Sequence, residues 1–227
     1  MAYCPGMTHN MQSGRQRPTS ADYRDAYFAT LYGAVPRQTL IDRVRDRLIH
    51  RLVTQAAPGG RLLEIGCGYG YLLSRFDDSW TLCGTDISAH AAAIAQQRLP
   101  HAHIVAADIQ EGIPFTGQFD ALIAVNVIEH LPEPERAAQA IADAVKPGGV
   151  FVAHLPTISS ALAGWIYART YESDPTHVYR PSGEEFDFLM EGVGFRVLKS
   201  LYCPFWPPLV WYYLRPHPAY LAIFERV

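Results

Sequence analysis

The stretch Arg61-Leu-Leu-Glu-Ile-Gly-Cys-Gly-Tyr-Gly-Tyr-Leu-Leu73 constrains this chain more than any other. A short apolar run ends in Glu64, glycines recur at alternate positions (Gly66, Gly68, Gly70), and an apolar pattern at helical spacing begins. Glycine reaches positive φ without steric cost and lets the backbone approach a ligand closely. A strand that breaks into such a loop and resumes as a helix is how open α/β sheets hold nucleotide-like cofactors.

The glycine spacing narrows the choice of cofactor. A dinucleotide fingerprint reads G-x-G-x-x-G, but the place of its third glycine after Gly66 and Gly68 is taken by Tyr71, which spoils close helix–strand packing. The stretch instead reads E-x-G-x-G-x-G and resembles motif I of the class I S-adenosylmethionine (SAM) methyltransferases. That resemblance implies that Glu64 and the loop Gly66, Cys67, Gly68 and Gly70 receive the methionine end of SAM.

Other stations agree. Trp80 to Asp86 reads as a second strand ending in an acid roughly twenty residues beyond Glu64, where an acid accepts the hydroxyls of a ribose. Asp86 is thus the expected ribose ligand and Ile87 packs on the adenine; the alternative is an acid that merely precedes the N-cap Ser88. A third strand, His103 to Ala107, ends in Asp108-Ile109. The resemblance implies that this acid accepts from the adenine amino group and that Ile109 supports the ring; the alternative is an ordinary turn acid before Gly112 and Pro114. Phe119 to Pro132 is nearly uninterrupted in apolar character, as a buried parallel strand is. Pro132 and Pro134 suit the first turn of a helix continuing to Val145. Lys146 to Gly149 reads as a turn and Val150 to His154 as a fifth strand. The phrases V-I-E-H-L-P and K-P-G-G belong to the same resemblance. Ser182-Gly-Glu-Glu185 is a capping box opening a helix to Glu191, and Phe195–Tyr202 and Tyr220–Val227 read as the last strands. The resemblance covers about residues 61 to 200. It implies an α/β, Rossmann-like sheet of seven strands in the order 3-2-1-4-5-7-6, the last strand antiparallel.

At 227 residues and 49% hydrophobic content the chain suits one domain. Residues 1–20 read as a flexible tail. Residues 21–57 read as two helices, one carrying Tyr23, Tyr27, Phe28 and Tyr32 as a lid over SAM, the other (Pro36–Ala56) burying Leu40, Val44, Leu48 and Leu52. Residues 61–155 form the cofactor core, and 156–227 the acceptor-side elements and last strands. A net charge of −3 gives no basic field for nucleic acid. The clusters Arg15/Arg17/Arg24 and Arg43/Arg45/Arg47/Arg51 read as solvated faces. Four cysteines (Cys4, Cys67, Cys83, Cys203) lack metal or disulfide spacing, which points to a reducing compartment and a cytoplasmic location. The aromatic, proline-broken segment 204–214 is too short to span a bilayer. It is open to covering an apolar substrate, joining a homodimer interface, touching a membrane surface or simply connecting strands.

Methyl transfer needs a donor and acceptor held in line and a base for the acceptor's proton. Candidates beyond the strand tips are Asn126, Glu129, His130, His154 and His177. Asn126-x-x-Glu129-His130 with the later His177 resembles the E-x-x-E-H…H motif that holds a divalent metal in small-RNA 2′-O-methyltransferases, with Asn126 in place of its first Glu. A related acidic-His motif occurs in quinone-biosynthesis O-methyltransferases. The metal-free alternative makes His130 or His177 a general base beside Glu129, and a third reading gives Glu129-His130 a structural role alone. The leading expectation is a SAM-dependent methyltransferase acting on a small, aromatic or lipophilic acceptor, at a hydroxyl oxygen, with nitrogen and carbon open as alternatives. The alternatives are RNA 2′-O-methylation and non-catalytic SAM binding.

Overall fold

The central strands form where the sequence offers an apolar run: Gly60–Ile65 gives way to Gly66, Trp80–Asp86 closes on an acid and Val145–Pro156 on a proline. The computed structural model describes residues 38–172, 174, 176–202 and 218–227. The expected tail, the Tyr-striped lid helix, Cys4, Cys203 and the 204–214 segment lie outside them. In chain order the elements are α1 (Leu40–Ala56), β1 (Gly60–Ile65), β2 (Trp80–Asp86), α2 (Ala89–Arg98), β3 (His103–Ala106) and β4 (Phe119–Val125). There follow α3 (Pro134–Ala144), β5 (Val145–Pro156), α4 (Ala161–Thr170), α5 (Gly183–Gly192), β6 (Phe195–Tyr202) and β7 (Ala219–Arg226).

The sheet runs β3-β2-β1-β4-β5-β7-β6, as expected. β7 is antiparallel to both neighbours, and the remaining pairs are parallel. Alternation along the strands divides the core. Leu63, Ile65, Leu122, Ala124, Phe151 and Phe224 pack on one face, and Leu62, Ala121, Ile123, Val150, Val152 and Ile223 on the other. Burial on both faces makes the central strands read as continuous hydrophobic runs. The chain lays β2 and β3 to one side of β1, then returns to lay β4 and β5 on the other. The loops leaving β1 and β4 therefore diverge, and a crevice opens at their carboxyl ends. Among the described residues no helix is long and apolar enough to cross a membrane.

Three local expectations are corrected. The helix expected after the glycine loop is only a 3-10 turn, Leu73–Arg75. Leu72, Leu73 and Phe76 all plunge into the core, and the chain turns at once through Asp77, whose Oδ1 accepts from the Ser79 amide at 3.0 Å. The helix expected from Pro36 begins at Leu40, where Thr39 and Asp42 make a reciprocal capping box. Its buried residues are Asp46, Ile49, Leu52 and Val53, while Leu40 is 73% exposed. A strict every-fourth stripe rotates about 40° per step around a helix of 3.6 residues per turn, so Leu40 and Leu52 cannot share a face. Lastly, Lys146–Gly149 is the irregular entry to β5 rather than a separate turn. Its register with β4 jumps from Phe119↔Val145 to Ala121↔Val150.

Candidate active site

The crevice is a cavity of about 400 Å³ lined from the tips of β1, β2, β3 and β4, from α1 and from the segment after α4. That volume lies within the range typical of small-molecule sites. Every residue expected to hold the cofactor, apart from Gly70, lines it: Glu64, Gly66, Cys67, Gly68, Asp86, Ile87, Asp108, Ile109 and Asn126.

At the β1 tip the three glycines do different work. All have positive φ. A Cβ on Gly66 would sit 2.3 Å from Val127 Cγ2, and one on Gly70 would press on Leu99 and Ala95, so these two allow packing. A Cβ on Gly68 would meet nothing within 4 Å, so its backbone faces open cavity. Glu64 is buried beside this loop with one oxygen, Oε2, lacking a hydrogen-bond partner. Burial, reinforced by the charge of Asp46, raises its pKa well above the ordinary carboxyl range.

Asp86 closes β2. Its Oδ2 accepts from the Gly68 amide at 2.8 Å and its Oδ1 from the Ser88 amide at 2.9 Å, which ties the glycine loop to the start of α2. Ser88 in turn caps that helix through the Ala91 amide. The cap-preceding role and the pocket-lining position thus coexist. Burial pushes the Asp86 carboxyl up to about 6 against the pull of those two amides. At the β3 tip Asp108 Oδ1 accepts from the Gln110 amide at 2.9 Å, opening a 3-10 turn that brings buried Ile109 to the wall.

Beyond β4, Asn126 has φ +54. His154 Nδ1, on β5 opposite the preceding Val125, donates to its Oδ1 at 2.8 Å. His154 itself does not line the cavity. A 3-10 turn, Ile128–His130, then points Glu129 and His130 inward. The Glu129 carbonyl accepts from the amides of both Val178 and Tyr179 at 2.9 Å, which draws the distant 176–179 segment onto this tip. His177 is thereby brought to His130, ring centroids 4.8 Å apart and steeply inclined. Tyr171 stacks on His177, and Tyr167 Oη lies 3.1 Å from its Nδ1. Glu129 is 1% exposed, and its Oε2 lacks a hydrogen-bond partner. Burial, helped by the Asp174 charge, pushes its carboxyl up to about 8. Burial also lowers His130 below the usual imidazole value, although Asp174 and the Thr176 carbonyl oppose the shift. Ligand atoms of Glu129, His130 and His177 all lie within 4.8 Å of one another.

Several lining residues escaped the sequence reading. Asp42, Arg45 and Asp46 face the cavity from α1, and Gln38 from just before it. Arg45, read as part of a solvated face, is largely covered and pairs with Asp46 at 2.9 Å and Asp42 at 3.1 Å. Tyr171 and Asp174 line the opposite wall. The one local hint was the run of opposite charges Asp42, Arg43, Arg45, Asp46 in the first turns of the helix.

A family model described as a methyltransferase domain matches residues 37–200. The chain belongs to that methyltransferase family. The resemblance to SAM-dependent methyltransferases, and SAM as their cofactor, are thereby borne out. Curated relatives include the ubiquinone biosynthesis O-methyltransferase of Escherichia coli O127:H6, 30% identical over 97 residues, 40% of each protein. The cyclopropane-fatty-acyl-phospholipid synthase of Escherichia coli strain K12 is 34% identical over 106 residues, 44% of this chain and 27% of that protein. The chain thus spans less than half the length of these relatives. Among solved structures, the N-methyltransferase NodS from Bradyrhizobium japonicum, in complex with S-adenosylhomocysteine (SAH), superposes with a TM-score of 0.69. It is 18% identical, with 92% of this chain and 99% of that one covered. The [4+2]-cyclase SpnF superposes at 0.67 with 19% identity, covering 94% of this chain and 99% of that one. Identities this low speak for the fold alone.

Proposed function

We propose that this methyltransferase transfers the methyl group of SAM to a hydroxyl oxygen of a small-molecule acceptor. The observation that carries the reading is that one cavity holds both halves of the chemistry. Glu64, the Gly68 backbone, Asp86 and Asp108 line it, and so do Glu129, His130 and His177. The residues present fit SAM: the glycine loop leaves open space at Gly68, and Glu64 keeps an unpartnered oxygen suited to an ammonium group. Asp86 would accept from the ribose, Asp108 from the adenine amine, with Ile87 and Ile109 against the ring. Arg45 would take the methionine carboxylate.

Bound SAM supplies a methyl carbon already activated by positive sulfur, so the protein has only to align the acceptor and remove its proton. His130 would take the acceptor's hydroxyl proton on a ring nitrogen. Burial keeps this imidazole neutral at physiological pH, and such general base catalysis is worth roughly 10²–10⁴-fold in rate. Glu129, uncharged below about pH 8, offers a carboxyl hydrogen bond to the acceptor. Calorimetric titration with SAM tests the core of the reading. Asp86→Ala removes charge-assisted hydrogen bonds of roughly 1.5–3 kcal/mol each, so affinity should fall about 100-fold. No binding to the folded protein would end the proposal, and wild-type affinity in Asp86→Ala would remove its ribose role.

A second reading, in which a divalent metal joins the site, is favoured by the convergence of Glu129, His130 and His177. Two imidazoles and a carboxylate with an orphaned oxygen suit zinc or manganese better than magnesium. Asn126 stands apart from the set, its Oδ1 engaged by His154. A metal there would polarise the acceptor hydroxyl. Cobalt(II) titration should give the visible absorption of a nitrogen-ligated site, abolished in His177→Ala. Absence of the band at millimolar cobalt would discard this reading.

A further inference from the structure

The wall behind His130 carries a device that the motif alone does not reveal. Thr176 meets the His130 ring twice at one nitrogen. Its Oγ1 lies 2.9 Å from Nδ1 and its carbonyl oxygen 3.2 Å from the same atom. The carbonyl can only accept. A hydroxyl has one proton to give, and that of Thr176 goes to Asp174 Oδ1 at 2.5 Å. The same Oδ1 also accepts the Thr176 backbone N–H at 2.9 Å. Both Thr176 oxygens are therefore acceptors toward His130. In the neutral imidazole the proton then has to reside on Nδ1, leaving the lone pair on Nε2.

We propose that Thr176, with its hydroxyl oriented by Asp174, is a positioning residue that fixes the Nδ1–H tautomer of His130 and so presents Nε2 as the base toward the acceptor. The inference rests on the reading of His130 as the acceptor's base. Asp174 lines the cavity and Thr176 does not; in this device both act through the imidazole, as the oriented partner of a catalytic base does. The choice of tautomer matters because an imidazole with Nε2–H presents a donor where the acceptor's proton must arrive. The surrounding frame is rigid: the Glu129 carbonyl clamps Val178 and Tyr179, and Arg180 grips Glu172 through two hydrogen bonds. Among the groups facing the ring, Glu129 and His177 lie on the cavity side.

Two-bond nitrogen–proton NMR correlation on protein labelled with ¹⁵N-histidine reads the tautomer directly and needs no acceptor. The chain has nine histidines, so disappearance of one spin system in His130→Gln assigns it. The unaltered chain should show His130 protonated at Nδ1. Asp174→Ala removes the acceptor and frees the Thr176 hydroxyl proton to face His130. Thr176→Val leaves only the longer carbonyl contact. Each should shift the tautomer ratio toward Nε2–H, by about tenfold in Asp174→Ala, the equivalent of roughly 1.4 kcal/mol. Thr176→Ser should restore the native ratio. Native protein with His130 protonated at Nε2 would overturn the inference, as would an unchanged ratio in both Asp174→Ala and Thr176→Val. SAM titration of the same samples keeps the two ideas separable. An Nε2–H tautomer in protein that binds SAM sinks the tautomer device and leaves the methyltransferase reading standing. Loss of SAM binding in native protein with an Nδ1–H tautomer does the reverse.

Discussion

Glu64, Asp86 and Glu129 are all buried, all raised in pKa by that burial, and none makes an ion pair among the described residues. Asp120, at the other end of β4, behaves oppositely. Burial pushes it up, but hydrogen bonds from Lys146 at 2.7 Å and the Arg61 amide at 2.8 Å outweigh that and hold it low. These three acids thus carry a folding penalty that Asp120 does not, and strongly perturbed groups in a cleft mark function. The sign of the penalty can be worked out for Asp86. Its folded pKa of about 6 exceeds the ordinary 3.8, so between those values the folded protein holds a proton that the unfolded chain has released. Stability should therefore fall as pH rises through that window, by about 1.4 kcal/mol per unit and about 3 kcal/mol at most, then level off above pH 6. Urea unfolding of wild type and Asp86→Asn from pH 4 to 7 checks this: the wild type should lose ground steadily against the variant. A difference independent of pH would show that Asp86 is ionised throughout.

At the level of elements, what the sequence revealed depended on whether the signal was local. The β1–loop pattern, Asp86, Asp108 and the Ser182 capping box sit at fixed offsets from strand or helix ends, and all were legible. The 3-10 turn after Gly70 was missed because Leu72, Leu73 and Phe76 fit a helical stripe as well as a plunge into the core. Arg45 and Thr176 were missed because what defines them is a partner elsewhere: the cavity wall for one, His130 for the other. The glycine loop shows the same division. Its glycines are alike in sequence and in positive φ, yet Gly66 is pressed on Val127 while Gly68 faces space. Gly68→Ala should cost only the left-handed backbone penalty of roughly 1–2 kcal/mol while its methyl group narrows the cofactor cradle and weakens SAM binding. Gly66→Ala adds a 2.3 Å clash to the same penalty and should unfold at clearly lower urea. Equal midpoints for the two variants, or undiminished SAM affinity in Gly68→Ala, would contradict this division of labour.

For the whole molecule, the strand order decides which parts a ligand can join. The cavity draws on the tips of β1 to β4 and on α1, whereas β6 and β7 contribute no residue to it. The Gly68–Asp86 hydrogen bond and the shared carbonyl of Thr85, which accepts from the amides of both Gly66 and Cys67, already couple the β1 and β2 tips. A ligand bridging them would tighten segments far apart in sequence yet adjacent in the sheet. SAH at 100 times its dissociation constant should stabilise the fold by about 2.7 kcal/mol, a rise in Tm of roughly 5–10 °C for a chain of this length. Stabilisation alone does not locate the ligand, but hydrogen exchange does. On SAH addition, protection should increase at residues 64–72, 84–88, 107–110 and 125–131, the tips that line the cavity, with little change across 195–202 and 219–226. The amide of Gly68 is the most telling position, since it is already bonded to Asp86 and gains protection only if the loop itself is held shut. Protection spread evenly over the sheet would mean that SAH merely suppresses global unfolding. Protection confined to β6 and β7 would place the ligand away from the crevice and remove the cofactor assignment.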